Sequence, residues 1–133
     1  MNLIVVLDDK NGMLFNHRRQ SRDRVLTDRI IEMCGGKLVV NGYTAALFDG
    51  TTADLTVSED PLSAAKPGEW CFLEDRSPAP VSKKIEKLVV YRWNRIYPSD
   101  LKFDLDLSAM QLLSTTDFAG YSHEKLTEEV YVP

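Results

Sequence analysis

An unbroken aliphatic run, Leu-Ile-Val-Val-Leu at residues 3–7, lies near the start of the chain and is cut off by Asp8 and Asp9. Five consecutive apolar residues without polar alternation are typical of a strand buried on both faces, as in parallel sheets. The sequence therefore predicts that this strand lies at the centre of a sheet flanked by helices.

The residues after this strand alternate between helical and strand-like patterns. Apolar residues at each turn from Leu26 to Met33 predict a helix. We expect Ser21 to cap its start and the glycine pair at residues 35–36 to terminate it. Further strands are expected at residues 37–40, 54–57 and 70–73, with helical turns at 43–48 and 61–65. This order predicts parallel strands in the first part of the chain.

The pattern changes from Lys87 onward. Three strand-like segments follow without a helix between them, at residues 88–95, 109–118 and 125–132, and residues 119–122 are typical of a hairpin turn. The predicted fold is therefore α/β. A mixed sheet combines parallel N-terminal strands and flanking helices with a C-terminal antiparallel hairpin, in a single domain over residues 1–133.

Composition excludes several function classes. The chain has 133 residues, 44% of them hydrophobic, and its 16 basic against 20 acidic residues leave a net charge of -4. This balance argues against a nucleic-acid binder with a basic surface all round. Two distant cysteines, Cys34 and Cys71, and two histidines form no metal-ligand spacing, so we expect buried thiols, no metal and no metallohydrolase chemistry.

The N-terminal apolar run is short and has no basic leader, so we expect neither a signal peptide nor a membrane span, and a cytoplasmic protein. The chain also has no Gly-x-Ser-x-Gly elbow and no phosphate-binding glycine loop, which removes the common hydrolase and P-loop patterns. His123 lies beside Ser122 and Glu124 at the predicted hairpin, where a structural role is favoured over catalysis.

Taken in order, four parts of the chain resemble the dihydrofolate reductase superfamily. They are the first strand with its Gly-Met turn at residues 3–13, the start of the first helix at 21–26, the strand and Asp-x-x-Phe element at 87–103, and the closing hairpin at 107–131. The resemblance implies a cleft between the first helix and the strands around Val5 and Tyr91.

The resemblance also implies which residues form the site. Asp23 stands where the family keeps its substrate-binding carboxylate, and Tyr91 where its strand presents a hydroxyl toward that carboxylate, so the two are the predicted catalytic pair. A flat heterocycle is the expected small-molecule ligand. The residues expected to hold it are Met13, Phe15, Leu26, Thr27 and Ile30.

The sequence departs from the family at the cofactor positions. Where the family has a Gly-Arg-x-Thr turn, residues 41–44 read Asn-Gly-Tyr-Thr, and where it has a glycine pair, Glu74 and Asp75 follow the strand. Two carboxylates would repel a phosphate, and full side chains would block the approach of backbone N–H groups. We therefore expect no cofactor and no NADPH-dependent folate reduction, which leaves open whether the protein is an enzyme.

Two other functions remain open. In the first, the arginine-rich loop at residues 17–24 binds a nucleotide or other polyanion through Arg18, Arg19 and Arg22. The same loop could instead be solvated, with its arginines paired to surface carboxylates. Nucleic acid is not expected as a partner. Alternatively, the chain is a non-catalytic interaction domain. Its C-terminal hairpin would then form a homodimer by sheet extension.

Overall fold

A seven-stranded mixed sheet forms the body of the computed structural model, which describes all residues, 1–133. Its strands are β1 (Asn2–Leu7), β4 (Lys37–Val40), β5 (Asp54–Val57), β6 (Trp70–Phe72), β7 (Lys87–Arg92), β9 (Gln111–Phe118) and β10 (Leu126–Val132). A second sheet contains β2 (Gly12–Phe15), β3 (Arg18–Arg19) and β8 (Leu101–Lys102). The helices are α1 (Arg24–Met33), α2 (Gly42–Ala45) and α3 (Pro61–Ala64), with 3-10 turns at Ala46–Phe48, Ala79–Lys84 and Leu107–Ala109.

The strand order in the large sheet is β5-β4-β6-β1-β7-β10-β9. The first five strands in this order pair in parallel, whereas β10 pairs antiparallel with both β7 and β9. This confirms the predicted mixed sheet with its C-terminal hairpin. The aliphatic run at residues 3–7 belongs to the central strand, as its two-sided burial predicts.

Alternation along β1 creates two cores. Leu3, Val5 and Leu7 point to one face, and Ile4 points to the other, where α1 packs through Leu26 and Ile30. The face covered by α1 is the face that carries the cleft described below. Cys34 and Cys71 are buried free thiols, as expected.

The helix α1 begins one residue after Asp23, not after Ser21. Asp23 is the N-cap residue, and its carboxylate accepts hydrogen bonds from the backbone N–H groups of Val25 and Leu26. The predicted cap at Ser21 is therefore wrong. An Asp in the N-cap position satisfies two N–H groups that have no partner within the helix, and the short Asp side chain is as suitable for this as Ser.

The small sheet was not predicted from the sequence. Its hairpin turns at Asn16 and His17, which both adopt positive φ, as a two-residue turn of this kind requires. Two of its strands have only two residues, too few for alternation to be visible. The sheet matters for function because it carries Arg18 and Arg19 and leads the chain into Ser21 and Asp23.

The strand β9 lies at the edge of the large sheet and has no partner strand on its outer side. Leu112 and Leu113 are about half exposed there. The edge that sheet extension would need is therefore present, and the homodimer stays a prediction that sedimentation velocity over a concentration series would test. No helix in the chain has the length and apolarity needed to cross a membrane.

Candidate functional site

A cleft lies between α1 and the ends of the central strands. Its cavity volume is about 20 Å³, so in this structure the cleft is narrow and holds about one water molecule. Leu26 and Ile30 of α1 line it from one side, and Val6 and Phe72 line it from the sheet. The loop at residues 19–23 and Glu74 supply its polar lining. One apolar wall with a few polar groups is the common composition of a small-molecule site.

The structure brings together four of the five predicted ligand-binding residues. Met13, Leu26, Thr27 and Ile30 line the cleft. Phe15 does not line it, because the tight hairpin directs this side chain outward, where it is 49% exposed beside a separate groove. The prediction for Phe15 is therefore wrong: the hairpin turn after β2, which the sequence did not reveal, reverses the chain just beyond it.

The carboxylate of Asp23 is fully occupied by the protein. Beyond its two helix N–H partners, Oδ1 accepts from the backbone N–H of Tyr121 at 2.9 Å. Oδ2 accepts from the backbone N–H of Ser122 at 2.9 Å and lies 2.8 Å from His123 Nδ1. Burial opposes ionisation, but these hydrogen bonds outweigh it and hold the pKa of Asp23 well below its ordinary value. Asp23 is therefore a structural anion with no lone pair free for a heterocycle, contrary to the predicted role.

Tyr91 does not meet Asp23. Glu128 of β10 stands opposite Tyr91 in the sheet register, and its Oε1 accepts the Tyr91 hydroxyl at 3.0 Å. Arg29 of α1 holds the same carboxylate, with Nε 2.9 Å from Oε1. Burial raises the pKa of Tyr91, and the adjacent Glu128 carboxylate raises it further. The predicted pair is wrong, because a cross-strand neighbour binds this hydroxyl on the same face of the sheet.

The partner of Asp23 is instead His123, from the loop that joins β9 to β10. Its Nδ1 faces the Asp23 carboxylate, and its Nε2 lies 3.1 Å from Ser21 Oγ and 3.3 Å from the Tyr97 hydroxyl. The ring is 8% exposed and packs on Trp93, with ring centroids 4.7 Å apart. An ionised carboxylate can only accept hydrogen bonds, so Nδ1 carries the proton. In the neutral ring, Nε2 is then free to accept a hydrogen bond from a hydroxyl.

Gly120 permits this arrangement. A Cβ at residue 120 would lie 2.7 Å from Asp23 Oδ2 and 2.9 Å from the carbonyl oxygen of His123. Both distances are shorter than side chains tolerate. The backbone of the loop approaches the Asp23 carboxylate closely only because this residue has no side chain.

Sequence reasoning did not find the contact between Ser21, Asp23 and His123. Ser21 and Asp23 are two residues apart, but His123 follows them by a hundred residues. The only local signal was the Ser-His pair at a predicted turn, and this has no fixed spacing to an acid elsewhere. Such a cluster is recognised by its geometry, not by sequence position.

A buried ion pair closes the end of the cleft at β6. The Arg19 guanidinium binds Glu74 with two hydrogen bonds of 2.8 and 2.9 Å, and Thr44 Oγ1 donates to the same carboxylate at 2.7 Å. Burial lowers the pKa of Arg19, but hydrogen bonding to Glu74 outweighs this and raises it. Glu74 is therefore not an unpaired charge, which corrects the expectation that it repels a phosphate.

Asp75 is also paired, with Arg76 at 3.0 Å and with the Asn41 side chain at 2.8 Å. The pairing of Arg19 removes one of the three predicted anion-binding residues. Arg18 is exposed and lies outside the cleft. Arg22 lines the cleft, is exposed, and pairs with no carboxylate.

Gln20, a residue of the cleft lining, carries an unsatisfied buried polar atom. Its Nε2 donates to Asp8 Oδ2 at 3.0 Å and to the Pro98 carbonyl oxygen at 3.4 Å. Both partners are acceptors, so the amide orientation is fixed, and Oε1 is buried without a hydrogen-bond partner. Asp8 is itself held by backbone N–H groups. Burial raises its pKa, but bonds from Gly12, Tyr97 and Lys10 outweigh this effect and lower it.

A wider groove adjoins the cleft and shares Arg22, Asp23, Thr27 and Leu47 with it. It is open to solvent and runs past residues 49–52 and the Arg24 guanidinium, which stacks on Tyr121 at 4.2 Å. The cleft and this groove are therefore neighbouring spaces with a shared wall.

Comparison with protein-family models and with curated proteins finds no match. Comparison with solved structures finds the dihydrofolate reductase from Enterococcus faecalis complexed with NADP(H) and RAB-propyl, at a TM-score of 0.67 and 11% sequence identity. The match covers 98% of this chain and 94% of that chain. The chain therefore has a dihydrofolate reductase-like fold, and at this identity the likeness concerns the fold alone.

Proposed function

We propose that the protein binds a small, flat heterocycle in the cleft between α1 and the sheet. The walls that would contact the faces of such a ring are apolar, with Leu26 and Ile30 on one side and Phe72 on the other. Trp93 adds an aromatic surface to the lining. These four side chains are at most 4% exposed, so a ring would enter only as the cleft widens, and packing on Trp93 and Phe72 would then supply the favourable free energy.

The observation that carries the proposal is the unpartnered amide oxygen of Gln20. A buried acceptor without a partner costs about 1–3 kcal/mol. A ligand N–H group would satisfy it, because the amide nitrogen of Gln20 is already committed to Asp8 and Pro98. We therefore propose a heterocycle with N–H donors at its edge.

The proposed ligand is not NADPH, and the proposed function is not folate reduction. The Arg19–Glu74 ion pair fills the end of the cleft at β6, where bare backbone would be needed to approach a pyrophosphate. At residues 41–44, the side-chain oxygen of Asn41 accepts from the Thr44 backbone N–H and thereby caps α2. Neither place therefore has an unpaired positive charge that could bind a phosphate.

Saturating amounts of the right heterocycle are expected to raise the unfolding temperature, whereas NADPH leaves it unchanged. Binding to the native state alone stabilises by about 2.7 kcal/mol at a ligand concentration of 100 times Kd. Differential scanning fluorimetry with pteridines, purines and pyrimidines would identify the class. Quenching of Trp93 fluorescence would then give the Kd.

Replacing Gln20 with Met is expected to weaken that binding by about fivefold, since one hydrogen bond contributes about 1 kcal/mol. The matched control is Gln111→Met on the exposed edge strand β9, which leaves Kd unchanged. Absence of any stabilising heterocycle would contradict the proposed function. An unchanged Kd for Gln20→Met would instead remove Gln20 from the site.

A further inference from the structure

We infer that Ser21 is a nucleophile, that His123 is its general base, and that the cleft therefore takes a carboxylic ester of a flat ring system. The inference rests on the proposed binding function, because Ser21 lines the same cleft. It goes beyond binding because it assigns a covalent step to residues that the fold likeness does not explain.

Ser21 and Asp23 reach one imidazole from positions two residues apart. Asp23 has extended φ and ψ angles of -152° and 128°. His123 enters between them from the β9–β10 loop. Its Nδ1 is 2.8 Å from Asp23 Oδ2, and its Nε2 is 3.1 Å from Ser21 Oγ. A hydroxyl, an imidazole and a buried carboxylate in this order are the arrangement that activates a serine.

The nearby Ser122 does not compete for this role. Its Oγ donates to Asp23 Oδ2 and lies 3.2 Å from His123 Nδ1, on the side of the ring that carries the proton. Tyr97 shares Nε2 with Ser21 but at the longer distance of 3.3 Å. Ser21 is therefore the hydroxyl best placed to transfer its proton to His123.

The reaction begins when Ser21 Oγ attacks the ester carbonyl carbon while its proton moves to His123 Nε2. The negative charge develops on the carbonyl oxygen, and Arg22 is the guanidinium of this cleft that is free to stabilise it. The carbon–oxygen bond to the alcohol then breaks, and the alcohol oxygen takes the proton from Nε2.

Water completes the cycle. It attacks the acyl carbon and gives its proton to Nε2, after which Ser21 Oγ leaves with that proton and the carboxylic acid is released. Asp23 acts throughout as a positioning residue. It holds the imidazole with Nδ1 protonated and stabilises the positive charge that forms on the ring.

Replacing Ser21 with Cys gives a test that needs no knowledge of the natural ester. A thiol beside His123 Nε2 forms a thiolate–imidazolium pair and reacts rapidly with iodoacetamide below neutral pH. The native thiols give little background, because both are buried and burial raises the pKa of Cys34 and, to about 12, that of Cys71.

The expected result is that Ser21→Cys is alkylated at least tenfold faster than Ser114→Cys, a control on the exposed face of β9. Adding His123→Gln should remove the difference. Adding Asp23→Asn should slow the reaction to a similar extent, and the two changes together should not add, because they act through one imidazole. Because loss of fold would also remove the difference, circular dichroism and the unreactive buried Cys34 and Cys71 check that each variant is folded.

A second measurement uses the wild-type protein. A fluorophosphonate probe should form one adduct, in which Ser21 Oγ displaces fluoride from phosphorus, and Ser21→Ala should abolish it. The inference is overturned if Ser21→Cys reacts no faster than Ser114→Cys, or if His123→Gln leaves the rate unchanged. Heterocycle binding with an unreactive Ser21→Cys would leave the proposed function standing alone. An activated Ser21→Cys without heterocycle binding would support the nucleophile and reject the proposed ring class.

Discussion

Replacing Asp23 with Asn is expected to lower the free energy of unfolding by about 2–4 kcal/mol at neutral pH, because hydrogen bonds are lost at one carboxylate oxygen and lose their charge assistance at the other. The carboxylate accepts from the start of α1 and from the β9–β10 loop. An Asn side chain turns one acceptor into a donor that faces other donors. The loop that carries His123 should loosen as a consequence.

The same substitution should change how stability depends on pH. The folded state holds the pKa of Asp23 well below its ordinary value of 3.8. Its contribution is therefore complete above the ordinary pKa and is lost as the pH falls toward the folded value. The wild type should lose stability steeply below about pH 4, and Asp23→Asn should lose less.

Urea unfolding at several pH values between about 7 and about 3 measures both effects. Asp8 also has a lowered pKa and stays in both proteins, so the difference between the two curves isolates Asp23. Asp28→Asn, on the exposed side of the same helix, is the matched control and should change stability by less than about 0.5 kcal/mol. A constant difference between wild type and Asp23→Asn at every pH would contradict the assignment.

Replacing Arg19 with Ala is expected to lower the free energy of unfolding by about 2–4 kcal/mol, because it leaves the buried Glu74 carboxylate without its cation. Only the Thr44 hydroxyl would remain as a partner. Changing both residues, as Arg19→Ala with Glu74→Leu, should cost less than Arg19→Ala alone, since no buried charge is then left unpaired.

Arg18→Ala is the matched control for this pair. Arg18 is the adjacent residue of β3 but is exposed, so its removal should change stability by less than about 0.5 kcal/mol. Urea unfolding of the three variants at neutral pH gives the comparison. If Arg19→Ala were as stable as Arg18→Ala, the ion pair would not close the cleft in the way described here.

Strong periodic patterns made most of the fold predictable. The aliphatic run of β1 marked the sheet centre, and the spacing of Leu26 and Ile30 marked the face of α1 that forms the cleft wall. These signals are local and repeat over several residues. The small sheet escaped prediction because its strands are very short and its turn is Asn-His instead of the more telling Asn-Gly.

The polar parts of the site were less predictable because they depend on partners that are distant in sequence. Asp23 was recognised as important, but its partner His123 comes from the far end of the chain. The Tyr91 hydroxyl is bound by Glu128, which only the register of β7 and β10 brings opposite. The resemblance to a known family located Asp23 and Tyr91 but paired them with each other, whereas their partners are His123 and Glu128.

The protonation of the His123 ring tests the central claim, which is that an ionised Asp23 holds this imidazole with Nε2 free toward Ser21. Long-range proton–nitrogen correlation spectra of the labelled protein report each ring nitrogen, and the exposed His17 provides an internal reference. In the neutral ring, the contacts with Asp23 and Ser21 predict that His123 carries its proton on Nδ1 and has an unprotonated Nε2. A ring protonated on Nε2 instead, or one averaging between tautomers, would contradict it.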